Sequence, residues 1–284
     1  MKFLYIADTH IGGKDGIGYI QQPRYLSKLD SIMQSFKDYI DDSGDVDFVI
    51  HGGDMVDEGN EANIKFAREI FGNLPCPVYL ALGNHDLSEE DSLNKWLELA
   101  PEFFQNGMVD FSFEHGGVNF DFLSCHWGSK PYFWNQNEPQ VPYFEESQLG
   151  SLNKTSGSKR RILVTHAPVM GLPCEQTGFA EEIHPSAGDF KEIIFRTVRV
   201  NSFECVLGAH THMNMHIEKE GVHYVTASAL PEAPFEFKEF EILEGLFSMK
   251  TVNLADKAGF KYDYDFGKTY TQGRNCDRSF EENR

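Results

Sequence analysis

Apolar and polar positions follow one another in blocks that predict alternating strands and helices over the first 100 residues. Short apolar runs alternate with stretches in which apolar residues recur every three or four positions. The first pattern is typical of buried strands and the second of amphipathic helices. Strands are predicted at 2–7, 47–50 and 77–82, and helices at 24–41, 61–71 and 89–99. This order is typical of βαβ units and a largely parallel sheet.

The remainder of the chain carries more strand pattern. Apolar runs predict strands at 118–123, 161–165 and 203–207, and shorter runs follow at 214–219, 222–226, 235–243 and 246–252. Because the later runs are closely spaced, they predict antiparallel strands toward the end of the sequence. No internal repeat and no linker rich in Pro, Gly or Ser interrupts the sequence, so two packed sheets in one domain are predicted.

Polar side chains gather directly after five of the predicted strands. They are Asp8 and His10; Asp54 and Asp57; Asn84, His85 and Asp86; His166; and His210 and His212. One such group alone would be an ordinary polar turn. Because ligands collect at the carboxyl ends of parallel strands, five groups in succession predict a shared site.

The donors are carboxylates, imidazoles and an amide, without thiolates. This set suits Mn, Fe or Zn and exceeds what one ion needs. Two ions about 3.5–4 Å apart, sharing one carboxylate, would orient a phosphate and lower the pKa of a water between them. Glycines beside three of the groups permit close approach of the ligand backbone. The pattern therefore predicts a dimetal site for phosphoester chemistry.

The motifs occur in the order Asp-x-His, Gly-Asp-x-x-Asp, Gly-Asn-His-Asp, a lone His after a strand, and Gly-x-His-x-His. This order resembles the calcineurin-like metallophosphoesterase superfamily. It is most similar to the cyclic-nucleotide-phosphodiesterase-like (class III) bacterial branch. The motifs extend from Asp8 to His212. The resemblance implies an α/β fold, a four-layer α/β/β/α sandwich of two mixed sheets flanked by helices (the metallo-dependent phosphatase fold). One domain over 1–284 is expected, with the catalytic core in 1–230 and a strand-rich C-terminal extension packed on it over about 231–284.

The resemblance also implies a role for each matching residue. One metal would be held by Asp8, His10 and His212, and the other by Asn84, His166 and His210, with Asp54 bridging. His85 would stabilise the transition state or protonate the leaving group, and Asp57 would orient His85. Asp86 is expected to have a structural role in its turn.

Two positions depart from the usual pattern of the superfamily. Gly208 and His210 are separated by Ala209, one residue more than in many relatives, although the spacing from His210 to His212 is kept. Thr165 stands where many relatives have a second histidine. Neither departure removes a proposed ligand, so metal binding is still expected.

The implied function is dimetal-dependent hydrolysis of P–O bonds by a metal-bridging hydroxide. The cofactors would be two divalent or mixed-valence ions, with Mn, Fe or Zn favoured. A phosphodiesterase acting on small nucleotide-like substrates is the first choice. The alternatives are a phosphomonoesterase or protein phosphatase, and a repair-type nuclease, because ADTHIGG also resembles the opening of those nucleases. A non-catalytic scaffold is disfavoured, since such a protein should have lost ligands.

Charge and composition limit the partners. The net charge is −19, with 25 basic and 44 acidic residues, and such a surface repels nucleic-acid polymers. A small phosphoester is therefore the expected partner. No apolar run approaches the roughly 20 residues of a membrane span. Five scattered cysteines and an N-terminal apolar run too short for a signal peptide favour a cytoplasmic protein. The oligomeric state stays open.

Several aromatic and histidine residues carry weaker signals. The aromatic loop at 126–144 has two interpretations, a lid that stacks on the substrate or a packed surface loop. His126 is a candidate substrate contact, because it follows a strand as the proposed ligands do. His184, which has no partner pattern, is predicted to be an ordinary histidine, and the tail after 262 is expected to add an edge strand.

Overall fold

The computed structural model describes residues 1–18, 20–138, 140–152 and 160–283. In chain order its strands are β1 (Lys2–Ile6), β2 (Gly16–Ile17), β3 (Pro23–Arg24), β4 (Phe48–His51), β5 (Val78–Leu80), β6 (Phe111–His115), β7 (Val118–Phe122), β8 (His126–Trp127), β9 (Pro142–Tyr143), β10 (Arg160–Val164), β11 (Cys205–Gly208), β12 (Met215–Lys219), β13 (Val222–Thr226), β14 (Glu236–Leu243), β15 (Leu246–Asn253) and β16 (Ser279–Asn283). Its α-helices are α1 (Leu29–Ser43), α2 (Glu61–Gly72), α3 (Ser92–Leu99), α4 (Glu146–Leu152), α5 (Cys174–Thr177), α6 (Gly188–Asn201) and α7 (Asn275–Arg278).

Two six-stranded mixed sheets form the centre of the structure. The first has the order β16-β15-β14-β1-β4-β5, and the second has the order β12-β13-β11-β10-β7-β6. β1, β4 and β5 are parallel, as are β7, β10, β11 and β13. The carboxyl ends of these parallel strands lie at the edge where the predicted site residues follow.

The sheets pack face to face through aromatic side chains. Phe3 of β1 stacks on Phe240 of β14 at 4.8 Å and meets Phe120 of β7 edge-on at 5.3 Å between ring centroids. Phe48 of β4 meets the same Phe120 at 5.2 Å. All four rings are buried. Edge-to-face aromatic pairs of this kind add to the stabilisation from apolar burial, so the two sheets are held in a fixed relation.

Helices cover the outer faces of both sheets. Phe36 of α1 packs edge-on against Phe237 of β14, with centroids 4.9 Å apart. On the second sheet, Leu163 of β10 lies in an apolar cluster with Phe190 and Ile194 of α6. Because side chains alternate across a strand, each sheet can contact the other sheet on one face and helices on the other. The predicted four-layer α/β fold is confirmed.

The strands of 231–284 continue the first sheet. β14 pairs antiparallel with β1, β15 with β14, and β16 with β15 at the edge. Within this region Arg278 pairs with the buried Glu236 at 2.6 Å. The expected edge strand in the tail is therefore present. The division into a core and an extension stays a prediction. None of the helices in the described ranges is long and apolar enough to cross a membrane.

Candidate metal centre

The first predicted ligand group assembles where β1 and β11 end. The Nε2 atoms of His10 and His212 lie 3.2 Å apart, and Nε2 of His212 lies 3.7 Å from Oδ1 of Asp8. All three residues are buried, and their donor atoms form a group that could hold a metal ion. β1 and β11 belong to different sheets, and the Tyr5 hydroxyl donates to the Gly208 carbonyl at 2.6 Å to join them beside the group.

The second group lies next to the first. Oδ1 of Asn84 is 3.2 Å from Nε2 of His166 and 3.1 Å from Nδ1 of His210. Asp54 joins this group, with Oδ2 3.3 Å from Nε2 of His166. The same oxygen lies 3.9 Å from Nε2 of His10 in the first group. Asp54 thus stands between the two groups, where the bridging ligand was predicted.

The donor geometry fits metal ions. Two donors bound to one ion at about 2.1 Å lie roughly 3.0–3.4 Å apart, and the spacings within each group are close to this range. The second oxygen of Asp8 is buried and has no hydrogen-bond partner in the described part of the chain. A buried carboxylate oxygen without a partner is costly, and a cation would satisfy it. The structure brings all seven predicted ligands together, and their binding of metal is a proposal.

Hydrogen bonds behind the histidines set which ring nitrogen faces the centre. Nδ1 of His10 donates to Asp57 at 3.1 Å, Nδ1 of His212 to Glu232 at 2.8 Å, and Nδ1 of His166 to the carbonyl of Gly52 at 2.9 Å. Each bond leaves the Nε2 lone pair directed at the centre. Such outer partners fix the orientation and raise the basicity of the ligand.

Asp57 lies between His10 and His85, and its role in orienting His85 stays a prediction. The structure places its carboxylate on His10, and Nδ1 of His85 instead donates to the backbone carbonyl of Asp57 at 2.8 Å. The carboxylate is farther from His85, with 3.9 Å between Oδ1 and Nδ1. The two rings pack edge-on at 4.7 Å between centroids. Asp57 therefore contacts both histidines through different atoms, because its turn lies between them.

Two supporting residues were missed by the sequence reasoning. Glu232 is 3% exposed and accepts from His212, and Arg24 approaches the same Glu232 oxygen at 3.2 Å. Neither residue belongs to a motif, and both are distant from His212 in sequence. The turn that holds Glu232 is kept beside the centre by a hydrogen bond from the Leu230 N–H to the Ala7 carbonyl at 3.1 Å and by a β-bridge between Arg24 and Glu232.

Asp86 has the structural role expected of it. Its oxygens accept from the backbone N–H groups of Val56 and Gly83 at 3.0 and 2.8 Å. Burial and the neighbouring Asp54 raise the pKa of this carboxyl to about 7. These bonds tie the loop after β4 to the loop after β5, so Asp86 fixes the position of two ligand loops.

Five of the proposed ligands have left-handed backbone conformations. Their φ angles lie between 45° and 69°, and the residues are Asp8, His10, Asp54, His210 and His212. Residues other than glycine rarely adopt this region, which costs on the order of 1 kcal/mol or more each. Strain of this kind clusters at functional sites. The loops therefore hold these side chains toward the centre at an energetic cost.

Two glycines allow the ligand loops to approach one another. A Cβ atom on Gly83 would lie 2.2 Å from Oδ1 of Asp54, and one on Gly53 would lie 2.5 Å from Nδ1 of His166. The φ of Gly53 is +105°. Any larger residue at these positions would push Asp54 and His166 out of place, which explains the glycines that precede the ligands.

Burial and neighbouring charges perturb the titratable groups. Burial raises the pKa of Asp8 to about 6 and lowers the pKa of His10 to about 3. Burial disfavours the charged forms of His166 and Asp54, but the attraction between their opposite charges is the larger effect. It raises the pKa of His166 to about 9 and lowers the pKa of Asp54 well below its usual range. Asp54 is therefore ionised and His10 neutral, and His166 must lose its Nε2 proton before it can bind a metal ion.

The aromatic loop packs against the site residues. Trp127 lies over His210 with 4.7 Å between ring centroids, and Trp134 lies over His85 at 4.6 Å. His126 is buried, with edge-on contacts to Tyr132 and Tyr143. These contacts favour a packed wall, although Trp134 also lines the adjoining cavity.

A cavity of about 440 Å³ opens beside His85. Its other lining residues include Phe133, Trp134 and the acidic residues Asp57, Glu58 and Glu89. The cavity borders the predicted proton donor and is walled on one side by the aromatic loop.

Sequence comparisons place the chain among phosphoesterases. The family model described as Calcineurin-like phosphoesterase matches residues 1–214. The DNA double-strand break repair protein Mre11 of Methanococcus maripaludis is 26% identical over 202 residues, covering 66% of this chain and 50% of that protein. The probable glycerophosphodiester phosphodiesterase GpdQ of Arcobacter nitrofigilis is 25% identical over 170 residues, covering 60% and 58%. The chain thus spans only about half the length of these relatives.

Solved structures share the fold. The purple acid phosphatase PPD1 of yellow lupin aligns over 100% of this chain and 53% of its own, with a TM-score of 0.58 and 15% identity. GAP50 of Plasmodium, described as the anchor in the inner membrane complex, aligns over 89% and 84%, with a TM-score of 0.57 and 16% identity. These likenesses bear on the fold alone. Together with the family match over 1–214, they confirm the resemblance seen in the motifs, and the chain belongs to the calcineurin-like phosphoesterase family.

Proposed function

We propose that this chain is a metal-dependent phosphodiesterase acting on small nucleotide-like substrates. The observation that carries the proposal is the pair of adjoining donor groups, with Asp54 between them and a buried, unpartnered oxygen on Asp8. Asp8, His10 and His212 would hold one ion, and Asn84, His166 and His210 the other, with Asp54 between them. When bound, two divalent ions lower the pKa of a water molecule and neutralise charge on the phosphoryl group.

His85 is the proposed proton donor. Its Nδ1 carries a proton, because the Asp57 carbonyl that it contacts can only accept a hydrogen bond. Nε2 can then pass a proton to the leaving oxygen from the imidazolium form, in which both ring nitrogens carry one. The side chain is 30% exposed and lines the cavity, so it can reach a bound substrate. A positioned acid of this kind contributes about 10²- to 10⁴-fold to the rate.

The charge of the residues that line the cavity favours a small substrate over a nucleic-acid polymer. Proteins that bind nucleic acids neutralise phosphates with Lys and Arg, and the described residues that line this cavity include neither. They include three carboxylates instead, and the whole chain carries a charge of −19. A substrate with one phosphodiester can place its single charge on the metal centre and its leaving group beside Trp134.

A repair-type nuclease is the second candidate, favoured by the similarity to Mre11. A substrate panel with Mn²⁺ separates the candidates: an aryl phosphodiester, an aryl phosphomonoester, cyclic nucleotides and single-stranded DNA. We expect the highest kcat/KM for the aryl diester or a cyclic nucleotide. Preferential cleavage of DNA would replace our proposal with the nuclease. A protein that neither binds two Mn²⁺ ions nor hydrolyses any of these substrates would overturn the proposal in favour of a scaffold.

A further inference from the structure

His184 lies beside the metal centre although it belongs to no motif. Its ring is 6.0 Å from the ring of His210 between centroids, with an angle of 72° between the planes. The residue is exposed, and its imidazole has no hydrogen bond to any of the described residues. Trp127 covers His210 separately, at 4.7 Å. An imidazole at the rim of the centre thus keeps its hydrogen-bonding capacity.

The chain before His184 is anchored. Ile183 and Leu172 exchange two backbone hydrogen bonds, of 2.9 and 3.3 Å. Leu172 is buried in an apolar cluster with Met213 and Met215, just beyond the ligand His212. The loop end that carries the imidazole is therefore fixed to the same segment of chain as the metal ligands.

The backbone of His184 is also strained. Its φ is +48°, in the left-handed region that five of the proposed metal ligands share. Residues in this region are enriched at functional sites; of the eleven described non-glycine residues with positive φ, five are proposed ligands and others, such as Glu220, lie in turns. His184 shares this conformation with the ligands, yet the neighbouring group already has four donors in Asp54, Asn84, His166 and His210. A contact between His184 and the substrate would explain both the left-handed conformation and the position beside a group that needs no further ligand.

We propose that His184 donates a hydrogen bond to a non-bridging oxygen of the phosphoryl group, on the side of the centre formed around His210. His85 adjoins His10 of the other group, at 4.7 Å between centroids. The two imidazoles would thus have separate roles. His184 would hold the phosphoryl group by a hydrogen bond, and His85 would give a proton to the leaving oxygen. This inference rests on the proposed function, since it assumes a phosphoester at the centre.

Two substitutions test it. His184→Gly removes the imidazole and relieves the backbone strain, whereas His184→Asn keeps an N–H donor and tolerates the left-handed conformation. Glu220→Gly is the matched control, because Glu220 is exposed, has a φ of +53° and lies in the turn between β12 and β13. Each Mn²⁺-loaded protein is measured for bound Mn²⁺, for the dissociation constant of inorganic phosphate, and for KM and kcat on an aryl phosphodiester.

We expect His184→Gly to keep its bound Mn²⁺ and to weaken phosphate binding about tenfold to a hundredfold, as for loss of a hydrogen bond to a charged group. KM should rise more than kcat falls. His184→Asn should recover part of the loss, and Glu220→Gly should match the wild type. Unchanged phosphate affinity in His184→Gly would overturn the inference, and so would loss of Mn²⁺, which would make His184 a ligand. If phosphate binding depends on His184 but no ester is hydrolysed, the proposed function fails and the contact stands.

Discussion

Replacing Glu232 by glutamine tests whether the residues behind the ligands control metal binding. The substitution keeps the size of the side chain and removes its charge. Glu232 accepts from Nδ1 of His212 at 2.8 Å and contacts Arg24 at 3.2 Å through the same oxygen, in a site only 3% exposed. Glutamine would leave the Arg24 guanidinium without an ionised partner and would make His212 a less basic ligand.

The expected loss follows from that geometry. Removing an outer partner of a metal-bound histidine typically costs about 10- to 100-fold in metal affinity, which corresponds to about 1.4–2.7 kcal/mol. His212 belongs only to the group with Asp8 and His10, so the loss should fall on one of the two ions. The second ion should be weakened less, through Asp54 alone.

Equilibrium dialysis against Mn²⁺, with metal content measured per chain, gives both dissociation constants. Asp121→Asn is the matched control, because Asp121 is a buried carboxylate that pairs with Arg161 at 2.9 Å. Arg161 lies near the start of β10, and His166 follows its end, so this pair is remote from the centre. If Glu232→Gln binds both ions as tightly as the wild type does, the assigned role of Glu232 is wrong. Equal losses in the two variants would point to general destabilisation.

Three other substitutions probe separate parts of the structure. Asp54→Ala should lose both ions, because Asp54 contacts both ligand groups, and measured retention of one full equivalent would exclude a bridge. His85→Ala should keep its metal and lower kcat about 10²- to 10⁴-fold, whereas His115→Ala, at the exposed end of β6, should not; an unchanged kcat would remove His85 from the mechanism. Burial lowers the pKa of Lys238 from 10.5 to about 7. Between these pH values the unfolded chain binds a proton that the native chain has released, so the unfolding free energy rises with pH. Lys238→Met should abolish this rise in urea unfolding of metal-free protein, and an equal slope in both proteins would contradict the assignment.

The sequence was sufficient to predict which residues gather at the candidate metal centre, because each of them follows a strand. Apolar runs locate β1, β4, β5, β10 and β11 within a few residues, and parallel strands bring their carboxyl ends to one edge. The same logic predicted that loops with Gly53 and Gly83 approach closely. Local sequence patterns were therefore enough to predict the residues that face the centre.

Features that depend on contacts distant in sequence could not be predicted. Nothing near Glu232 indicates that it faces His212, and the hydrogen bond from His10 to the Asp57 carboxylate depends on the angle of a turn. Helix α6 is different, because Phe190, Ile194 and Val198 recur at helical spacing and could have been found. The placement of His184 had no local signal, since it depends on the bridge between Leu172 and Ile183.

The left-handed conformations of the ligand loops lower the stability of the fold at the residues that the proposed activity requires. Glycine at Asp8, His10 or His210 would relieve strain and should raise the free energy of unfolding while destroying the centre. Mutations that stabilise an enzyme are commonly found where function holds it away from its optimum. A selection for thermostability alone would therefore favour substitutions at these ligand positions. Retention of these residues under selection for stability would itself indicate that activity is being selected.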